Sequence, residues 1–416
     1  AAVRDENPRV RFFAAIALGK LGRSEAVGPI LEMLRRNADK DAYLRHAGVM
    51  GLTGIGDVPA LLAAAGDESP AVRAGVLVTL RRLKNPEVAR FLNDDSPALV
   101  LEAARAINDA LIPEALPALA AAPITADAPD PLLRRIVNAN LRLGGKERAE
   151  TLAATAARTD LSPGLRVEAL DALRDWAEPS SRDRIVGLWR PIAPRPADEA
   201  VAAIVPVLNS LLTRAPEPVR QSAAKAAGRL AVAGASPTLK ALVGDRRRAP
   251  ATRVEALRAL EKMDASEADL VERAADDDVV PLRNEALRIL AVVRPEQAVK
   301  RLETRIAAGP VAERQGALRT LGTLASPAAD ALFATWLDRL IAGQVPPEIR
   351  LDLLEAGRRR DQEEVRRKIA EYEAAKPKDD PLARFDEAQA GGDAAAGRKV
   401  FNQKIAVACV RCHKVN

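Results

Sequence analysis

The sequence predicts an all-α fold assembled from helical repeats, and two observations lead to this prediction. The 416 residues are 48% hydrophobic but only 3% aromatic, a balance that supplies a core of Ala, Leu and Val and favours helices over a β-sandwich or barrel. One short pattern of Pro, Arg and apolar residues also returns along most of the chain. Charged residues make up a further 29%, and this composition excludes wholesale disorder.

The repeated pattern places an arginine, here called the anchor arginine, seven residues before an apolar residue. Its first copy runs from Pro8 through Arg11 to Leu18. Further copies follow at intervals of about 30 residues, which is the size of a two-helix repeat. The anchor position is occupied in turn by Arg11, Arg45, Arg73, Val100, Arg134, Arg166, Arg220, Arg253, Arg283, Arg314 and Arg350.

Each copy has the features of a helix that is buried along one face. Proline near the start suits the first helical turn, and Ser69 and Ser162 stand where an N-cap is expected. Apolar residues at i, i+3, i+4 and i+7 form a single stripe. A second, less regular helix is expected between copies, for example over Ala26–Arg35 and Ala298–Ala307. Two stacked helices per repeat form an α-solenoid.

The motif Pro-x-[Val/Leu]-Arg-x-x-Ala-x-x-x-Leu resembles HEAT repeats of the short bacterial kind over residues 4–357. This resemblance implies a HEAT-repeat α-solenoid, which we assign to residues 1–375. It is a weak guide to function, because adaptors, lyases and enzymes all use such arrays. We interpret the anchor arginines as structural, each pairing with a carboxylate or a carbonyl of the adjacent repeat. The alternative is a ladder that binds an anionic partner.

The regular spacing breaks between Arg166 and Arg220. That irregular segment holds either a hidden repeat or an insertion with the proline-rich stretch Pro191–Pro196. The three tryptophans are expected to pack in the core or between repeats: Trp176, Trp189 and Trp336. Two arginine runs are expected to be solvated faces of loops or helices: Arg246–Arg248 and Arg358–Arg360.

After Arg350 the pattern fades and the chain changes character. Glu363–Ala375 is a charged helix with Glu/Arg pairs at helical spacing, suited to capping the open end of the array. Residues 376–390, with Pro and Lys/Asp at their start, are predicted to be a linker. Residues 391–416 form the last segment, in which Asp393 is expected to cap a short helix over Ala394–Asn402.

The last segment contains Cys409-Val410-Arg411-Cys412-His413, a Cys-x-x-Cys-His motif that is a c-type haem attachment signature. The two thiols, three residues apart on a helical turn, can each form a thioether with one haem vinyl group. His413 is then placed to be the proximal iron ligand. A zinc site needs further ligands, and the chain has only His46 and no other cysteine to offer. A bare thiol pair is the remaining alternative.

The spacing Gly392-Asp393-x-x-x-Gly397-x-x-Val400-Phe401, followed by Cys-x-x-Cys-His, is similar to the start of class I cytochrome c domains. Together with the repeats, and with Asp41–Ala47, it resembles planctomycete-type haem-binding CxxCH proteins. The resemblance implies one covalent haem c per chain, a cytochrome domain that is truncated here, and an upstream dehydrogenase-like propeller that these residues lack. The chain is therefore expected to be a fragment, and no catalytic site is assigned to it.

The resemblance also implies a sixth iron ligand, a methionine well downstream of the motif. The chain carries only three methionines, all within repeats and all expected to pack structurally: Met33, Met50 and Met263. His46, on a repeat helix, is likewise expected to be a packing or hydrogen-bonding residue. A haem attached here would therefore be five-coordinate or water-bound.

The leading functional prediction is one-electron transfer by haem c, with the helical array as a scaffold and docking surface. Redox proteins, a dehydrogenase donor and a downstream acceptor, are the implied partners, and the implied location is extracytoplasmic or periplasmic. The alternative is a non-catalytic protein-interaction scaffold. The net charge of +6 lies largely in the last segment, so nucleic acid is not expected as a partner. No apolar run approaches the length of a membrane span.

Overall fold

The computed structural model describes residues 1–404 and 409–414, and every regular element in these ranges is a helix. An isolated bridge between Arg182 and Trp189 is the extent of β-pairing among them. The described chain forms two compact units, Ala1–Ala235 and Ser236–Asn416. This division differs from the predicted segments 1–375, 376–390 and 391–416. The prediction of an all-α fold is confirmed.

The first unit contains twelve α-helices and several short 3₁₀ turns. The α-helices are α1 (Pro8–Leu21), α2 (Val27–Asn37), α3 (Ala42–Ile55), α4 (Val58–Ala63), α5 (Pro70–Arg82), α6 (Pro97–Asp109), α7 (Leu116–Ala120), α8 (Asp130–Leu143), α9 (Lys146–Ala157), α10 (Pro163–Arg174), α11 (Asp198–Arg214) and α12 (Glu217–Arg229). The 3₁₀ helices are Ala2–Arg4, Ser24–Ala26, Pro86–Asn93, Pro113–Ala115 and Ala233–Ala235.

The described part of the second unit continues the same alternation of helices. Its α-helices are α13 (Ser236–Gly244), α14 (Pro250–Lys262), α15 (Ala268–Ala275), α16 (Val280–Val293), α17 (Pro295–Ala308), α18 (Val311–Thr323), α19 (Pro327–Ile341), α20 (Pro347–Arg358), α21 (Glu363–Ala374) and α22 (Ala394–Gln403). Its 3₁₀ helices are Ala383–Gln389 and Cys409–Arg411.

The helices that carry the anchor position, here called A helices, pack against one another within each unit. In the first unit they are α1, α3, α5, α6, α8, α10 and α12, and in the second α14, α16, α18 and α20. A second helix, here called the B helix, precedes or follows each of them and packs against it, as α17 packs on α16 and α18. This repeated two-layer stacking is an α-solenoid, as predicted.

Local signals at the helix starts explain why the elements begin where they do. Many A helices carry proline in the first turn, where the missing N–H costs nothing. The side chains of Asn7, Asp41 and Ser162 accept hydrogen bonds from backbone N–H groups of α1, α3 and α10. Ser69 occupies the N-cap position of α5, but its side chain accepts no capping bond from the described residues.

Helices α1 and α3 approach each other closely through glycine. A Cβ atom on Gly19 would lie 2.8 Å from the Cα of Gly51, and one on Gly54 would lie 2.6 Å from the carbonyl oxygen of Gly19. A side chain at these positions would therefore collide with backbone, which cannot move aside easily. The glycines allow the two backbones to touch directly.

The anchor arginines tie the repeats together. The Nε atoms of Arg166, Arg220, Arg253, Arg314 and Arg350 donate to carbonyls near the end of the preceding helix or in the loop after it, at 2.7–2.9 Å. Three of the anchor arginines use the guanidinium fork on a carboxylate of the next repeat, in the pairs Arg73–Asp94, Arg253–Asp277 and Arg283–Glu313. At these positions the structural interpretation is confirmed, whereas Arg11 and Arg45 bond to residues just before their own helices.

The irregular segment between α10 and α11 is an insertion, and it is held against A helices of the first unit. Arg190 donates to the carbonyls of Asn108 and Asp109, at 2.9 and 2.8 Å. The Arg195 guanidinium lies 3.8 Å from the ring centre of the buried Trp176. Helix α11 then serves as the B helix that packs on α12.

Two expectations about single side chains are wrong. Trp189 lies at the tip of the insertion and is 69% exposed, whereas Trp176 and Trp336 are buried as expected. Arg360 is buried and donates to the carbonyls of Leu321 and Leu324, both at 2.9 Å. The sequence does not show whether Trp189 or Arg360 is exposed or buried, because contacts with distant residues determine the environment of each side chain. Arg246 and Arg247 are exposed as expected.

Candidate functional site

The Cys-x-x-Cys-His motif lies on a single helical turn. The carbonyl of Cys409 accepts hydrogen bonds from the backbone N–H groups of Cys412, at 3.2 Å, and His413, at 2.9 Å. The turn therefore brings the backbone of the two cysteines and the histidine together around one carbonyl. Both cysteines are free thiols, with Cys409 half-buried and Cys412 exposed.

Helix α22 precedes this turn and packs against it. It begins as predicted, because the Asp393 carboxylate accepts from the N–H groups of Ala395 and Ala396, at 2.9 and 3.0 Å. None of its residues is buried by the described chain. Val400 is 45% exposed and Phe401 is half-buried, so the apolar side of α22 is left largely uncovered.

The residues at this turn fit the attachment of haem c. The donor set consists of two unpaired thiols three residues apart and an imidazole that makes no side-chain hydrogen bond to the described residues. In residues 1–404 and 409–414 no three His, Cys, Asp or Glu side chains come together in a way that could hold a metal ion. Residues 405–408 and 415–416 of the predicted segment lie outside the described residues.

The three methionines and His46 lie in the repeats, within the first unit or at a repeat boundary. Met33 is buried in α2, Met50 is half-buried in α3, and Met263 ends α14 half-buried. His46 lies exposed on α3. The buried position of Met33 agrees with its predicted packing role.

Residues 376–390, predicted to be a linker, fold back onto the second unit. The Glu387 carboxylate is 5% exposed and accepts from Tyr372 Oη at 2.7 Å and from Lys376 Nζ at 2.9 Å. Ala383 is buried, and the 3₁₀ helix Ala383–Gln389 packs on α20. The segment that leads to the Cys-x-x-Cys-His motif is thus attached to the end of the solenoid.

The last attachment point is Gly391. Its carbonyl accepts from the side-chain amide of Gln315 at 2.9 Å, and the same amide donates to the carbonyl of Glu348. Gly391 has φ +79°, and a Cβ there would lie 2.1 Å from the Glu348 oxygen. The composition of this segment predicted a linker. Its packing on the second unit could not be predicted, because the contacts join it to Tyr372 on α21 and to Gln315 on α18.

The environment of this cluster raises the pKa of Tyr372 and lowers the pKa of Glu387. Burial raises the pKa of Tyr372, and the hydrogen bond and the charge of Glu387 raise it further. Burial also raises the pKa of Glu387, but the hydrogen bonds from Tyr372 and Lys376 outweigh it, so that the net pKa is lowered. The carboxylate and the neutral phenol are therefore the forms that the fold favours.

A second candidate surface runs along the A helices, where polar side chains, some of them buried, pair from one repeat to the next. Arg258 of α14 donates to Glu285 of α16 at 2.8 Å. In the first unit, Arg81 of α5 donates to Glu102 of α6 at 2.6 Å, and Ser222 of α12 donates to Asp171 of α10 at 2.9 Å. These pairs form a polar ladder that repeats with the helices.

The sequence matches a family model described as HEAT repeats over residues 29–106. No curated protein matches it. In the described ranges, no helix is both long and apolar enough to cross a membrane.

Solved structures of Kap121p have a similar fold. Kap121p alone is 14% identical with a TM-score of 0.51, and 93% of this chain and 52% of that chain are covered. Kap121p bound to Nup53p is 13% identical with a TM-score of 0.53, and 99% of this chain and 47% of that chain are covered. This chain thus spans about half of the length of Kap121p. At such identities the likeness shows the solenoid fold alone.

Proposed function

We propose that this chain is a non-catalytic scaffold that binds partner proteins along its A helices. The polar ladder carries this proposal, because polar side chains two residues after the anchor position pair with a neighbouring A helix in several repeats: Glu102, Ser222 and Glu285. A partner lying across several repeats would then make many similar contacts, which is the way in which solenoids use their extended surfaces. The fold likeness to Kap121p, which was solved bound to Nup53p, supports the proposal.

The scaffold proposal is tested by identifying a partner and then removing the last segment. The full chain, cross-linked in its native cells, is expected to retain a stoichiometric protein whose cross-links map to A helices. The purified partner should bind equally well to a chain that ends at Gly392. A chain without any stoichiometric partner, or one whose binding depends wholly on residues 393–416, would contradict the proposal.

We also propose that the last segment holds haem c covalently, on the evidence of the single-turn geometry of its motif. The thiols of Cys409 and Cys412 would each add across one vinyl group, forming a C–S bond while the thiol hydrogen goes to the other vinyl carbon. His413 would hold the iron through its imidazole. When bound, the haem supplies a one-electron couple. Redox proteins are then the expected partners, and an extracytoplasmic location follows from where haem c is attached.

Covalent haem is tested by production with a c-type maturation system. A haem stain that stays with the polypeptide on a denaturing gel is expected for the natural sequence. The matched control is the double variant Cys409→Ser/Cys412→Ser, which should lose the stain. A His413→Ala variant should keep covalent haem but change its absorption spectrum. A natural chain without covalent haem would contradict the proposal and leave the scaffold proposal untouched.

A further inference from the structure

In the second unit the polar ladder is interrupted between α16 and α18. In α16 the residue two positions after the anchor is Glu285, and it receives Arg258 from the preceding A helix. In α18 the residue two positions after the anchor is Gly316, which has no side chain. Arg288 of α16 therefore has no carboxylate partner at this position. Arg288 instead bonds backwards, to Glu285 and Glu261.

A groove of about 490 Å³ lies at this gap, on the surface formed by α14, α16 and α18. Its floor includes Gly316 and Thr320, and four guanidinium groups surround it against one lining carboxylate, that of Glu285: Arg258, Arg288, Arg319 and Arg359. The gap in the ladder therefore coincides with an open, basic depression.

Two of the four arginines are not used by the fold. Arg319 and Arg359 are exposed, and neither side chain makes a hydrogen bond or an ion pair with the described residues. Arg319 feels the charge of Asp352 on α20, without forming a contact pair. Arg258 and Arg288 also remain partly exposed, at 47% and 42% of the side chain. The groove thus offers uncommitted donors for an incoming anion.

We propose that this groove binds an acidic peptide segment of the partner protein, whose carboxylate takes the place that is missing at Gly316. The inference rests on the proposed scaffold function and names the chemistry of the partner. Carboxylate is the group that arginine contacts in the neighbouring rungs, and the fork of a guanidinium matches it in two parallel hydrogen bonds.

The surroundings of the groove favour a peptide over a nucleic acid. Glu255 and Glu261 lie beside the basic side chains on α14, and Asp352 and Glu355 lie on α20. A nucleic acid carries a phosphate at every nucleotide and would meet these carboxylates on either side. A peptide can place one or two acidic side chains in the groove and keep neutral residues elsewhere.

The test uses the full chain and a fluorescent peptide with two adjacent glutamates flanked by glycine and serine, at low salt, followed by anisotropy. Saturable binding is expected, and it should weaken as salt is added. The double variant Arg319→Gln/Arg359→Gln should bind at least tenfold more weakly. The matched control Arg246→Gln/Arg247→Gln removes the same charge from an exposed loop and should bind as the natural chain does. Equal losses in both variants would reduce the effect to net charge and overturn the proposal.

A filled groove provides an independent variant. Gly316→Asp adds the missing carboxylate within the chain, and Asn284→Ala clears the side chain that a Cβ at Gly316 would meet at 2.3 Å. The combined variant should keep its helical circular dichroism and lose binding of the glutamate peptide. Tighter binding of a labelled oligonucleotide or of inorganic phosphate than of the peptide, abolished by the same variants, would overturn the peptide assignment.

The two proposals fail in different ways. If the partner identified for the scaffold binds the Arg319→Gln/Arg359→Gln variant with unchanged affinity, the groove inference is wrong and the scaffold stands. If no partner is found at all, the scaffold proposal fails before the groove is tested.

Discussion

One enclosed ion pair of the second unit joins an anchor arginine to the next repeat. The side chains of Arg253 and Asp277 are 3% and 9% exposed, and two hydrogen bonds of 3.0 and 2.5 Å connect them. Arg253 also donates to the carbonyl of Val243 at the end of α13. The side chain of Arg253 on α14 thus contacts both the end of α13 and the loop between α15 and α16.

Removing one partner of this pair should destabilise the second unit strongly. Arg253→Leu leaves the Asp277 carboxylate buried and unpaired, for which a loss of about 3–5 kcal/mol is expected. The measurement is urea unfolding followed by circular dichroism. Arg247→Leu, at an exposed position, is the control and should change the free energy of unfolding by less than about 0.5 kcal/mol. Equal effects of the two variants would contradict the role assigned to Arg253.

The phenol of Tyr372 should make the docked segment sensitive to alkali. Its folded pKa is raised, by burial and then by Glu387, above the unfolded value of about 10. The stabilisation is therefore complete below pH 10 and is lost as the pH rises through the folded value. Tyr372→Phe, which does not titrate, should lose less stability over the same range.

Spectroscopy can follow this titration directly, because the chain has only two tyrosines. In a Tyr43→Phe variant the phenolate absorbance reports Tyr372 alone, and in the folded chain it should appear at a higher pH than in the same variant unfolded in urea. Hydrogen exchange of residues 383–391 should accelerate over the same pH interval. Titration of the folded and the unfolded variant at the same pH would contradict the hydrogen bond to Glu387.

At the scale of elements, the contact between α1 and α3 depends on glycine. Gly51→Val would drive a side chain into the carbonyl oxygen of Ala15, 2.7 Å from the Cβ position. The helices would have to separate, at a cost of about 1–3 kcal/mol for overpacking. Thermal unfolding should show a lower midpoint for this variant. Gly28→Val on α2, where nothing lies within 4 Å of the Cβ position, is the matched control and should have a smaller effect.

Sequence reasoning predicted the helices well because their signals are local. The expected helices over Ala26–Arg35, Ala298–Ala307 and Glu363–Ala375 correspond to α2, α17 and α21 within one to three residues. Prolines, caps and apolar stripes act within a single helix, so one sequence is enough to read them. The role of the anchor arginines was also accessible, because the same residue recurs at the same place in each repeat.

The elements that sequence reasoning missed depend on contacts between distant residues. The insertion after α10 is held by Arg190 and Arg195, whose acceptors at Asn108 and Leu141 belong to earlier repeats. The segment after α21 looked like a linker because Lys, Pro and Asp dominate its start, yet Glu387 and Ala383 are buried. For the candidate sites, the motif at Cys409 was visible in sequence, whereas the groove at Gly316 required the alignment of α14, α16 and α18.

At the scale of the whole molecule, the position of the last segment relative to the second unit is set by two attachments. Glu387 is fixed to α21 through Tyr372, and Gly391 is fixed to α18 through Gln315. The chain between the solenoid and α22 is therefore anchored over most of its length. The segment that starts at Asp393 therefore begins at a defined point of the solenoid.

Truncation should separate the roles of these two parts. A chain that ends at Gly392 keeps both attachments, and its free energy of unfolding should match that of the full chain, because α22 buries no residue. A chain that ends at Ala375 loses the buried Ala383 and the hydrogen bonds of Glu387 to Tyr372 and Lys376, for which a loss of about 1–3 kcal/mol is expected. Urea unfolding of the second unit, with hydrogen exchange of α20 and α21, measures the difference. If both truncations unfold like the full chain, residues 376–391 are a free linker after all, and the scaffold does not fix the position of the Cys-x-x-Cys-His motif.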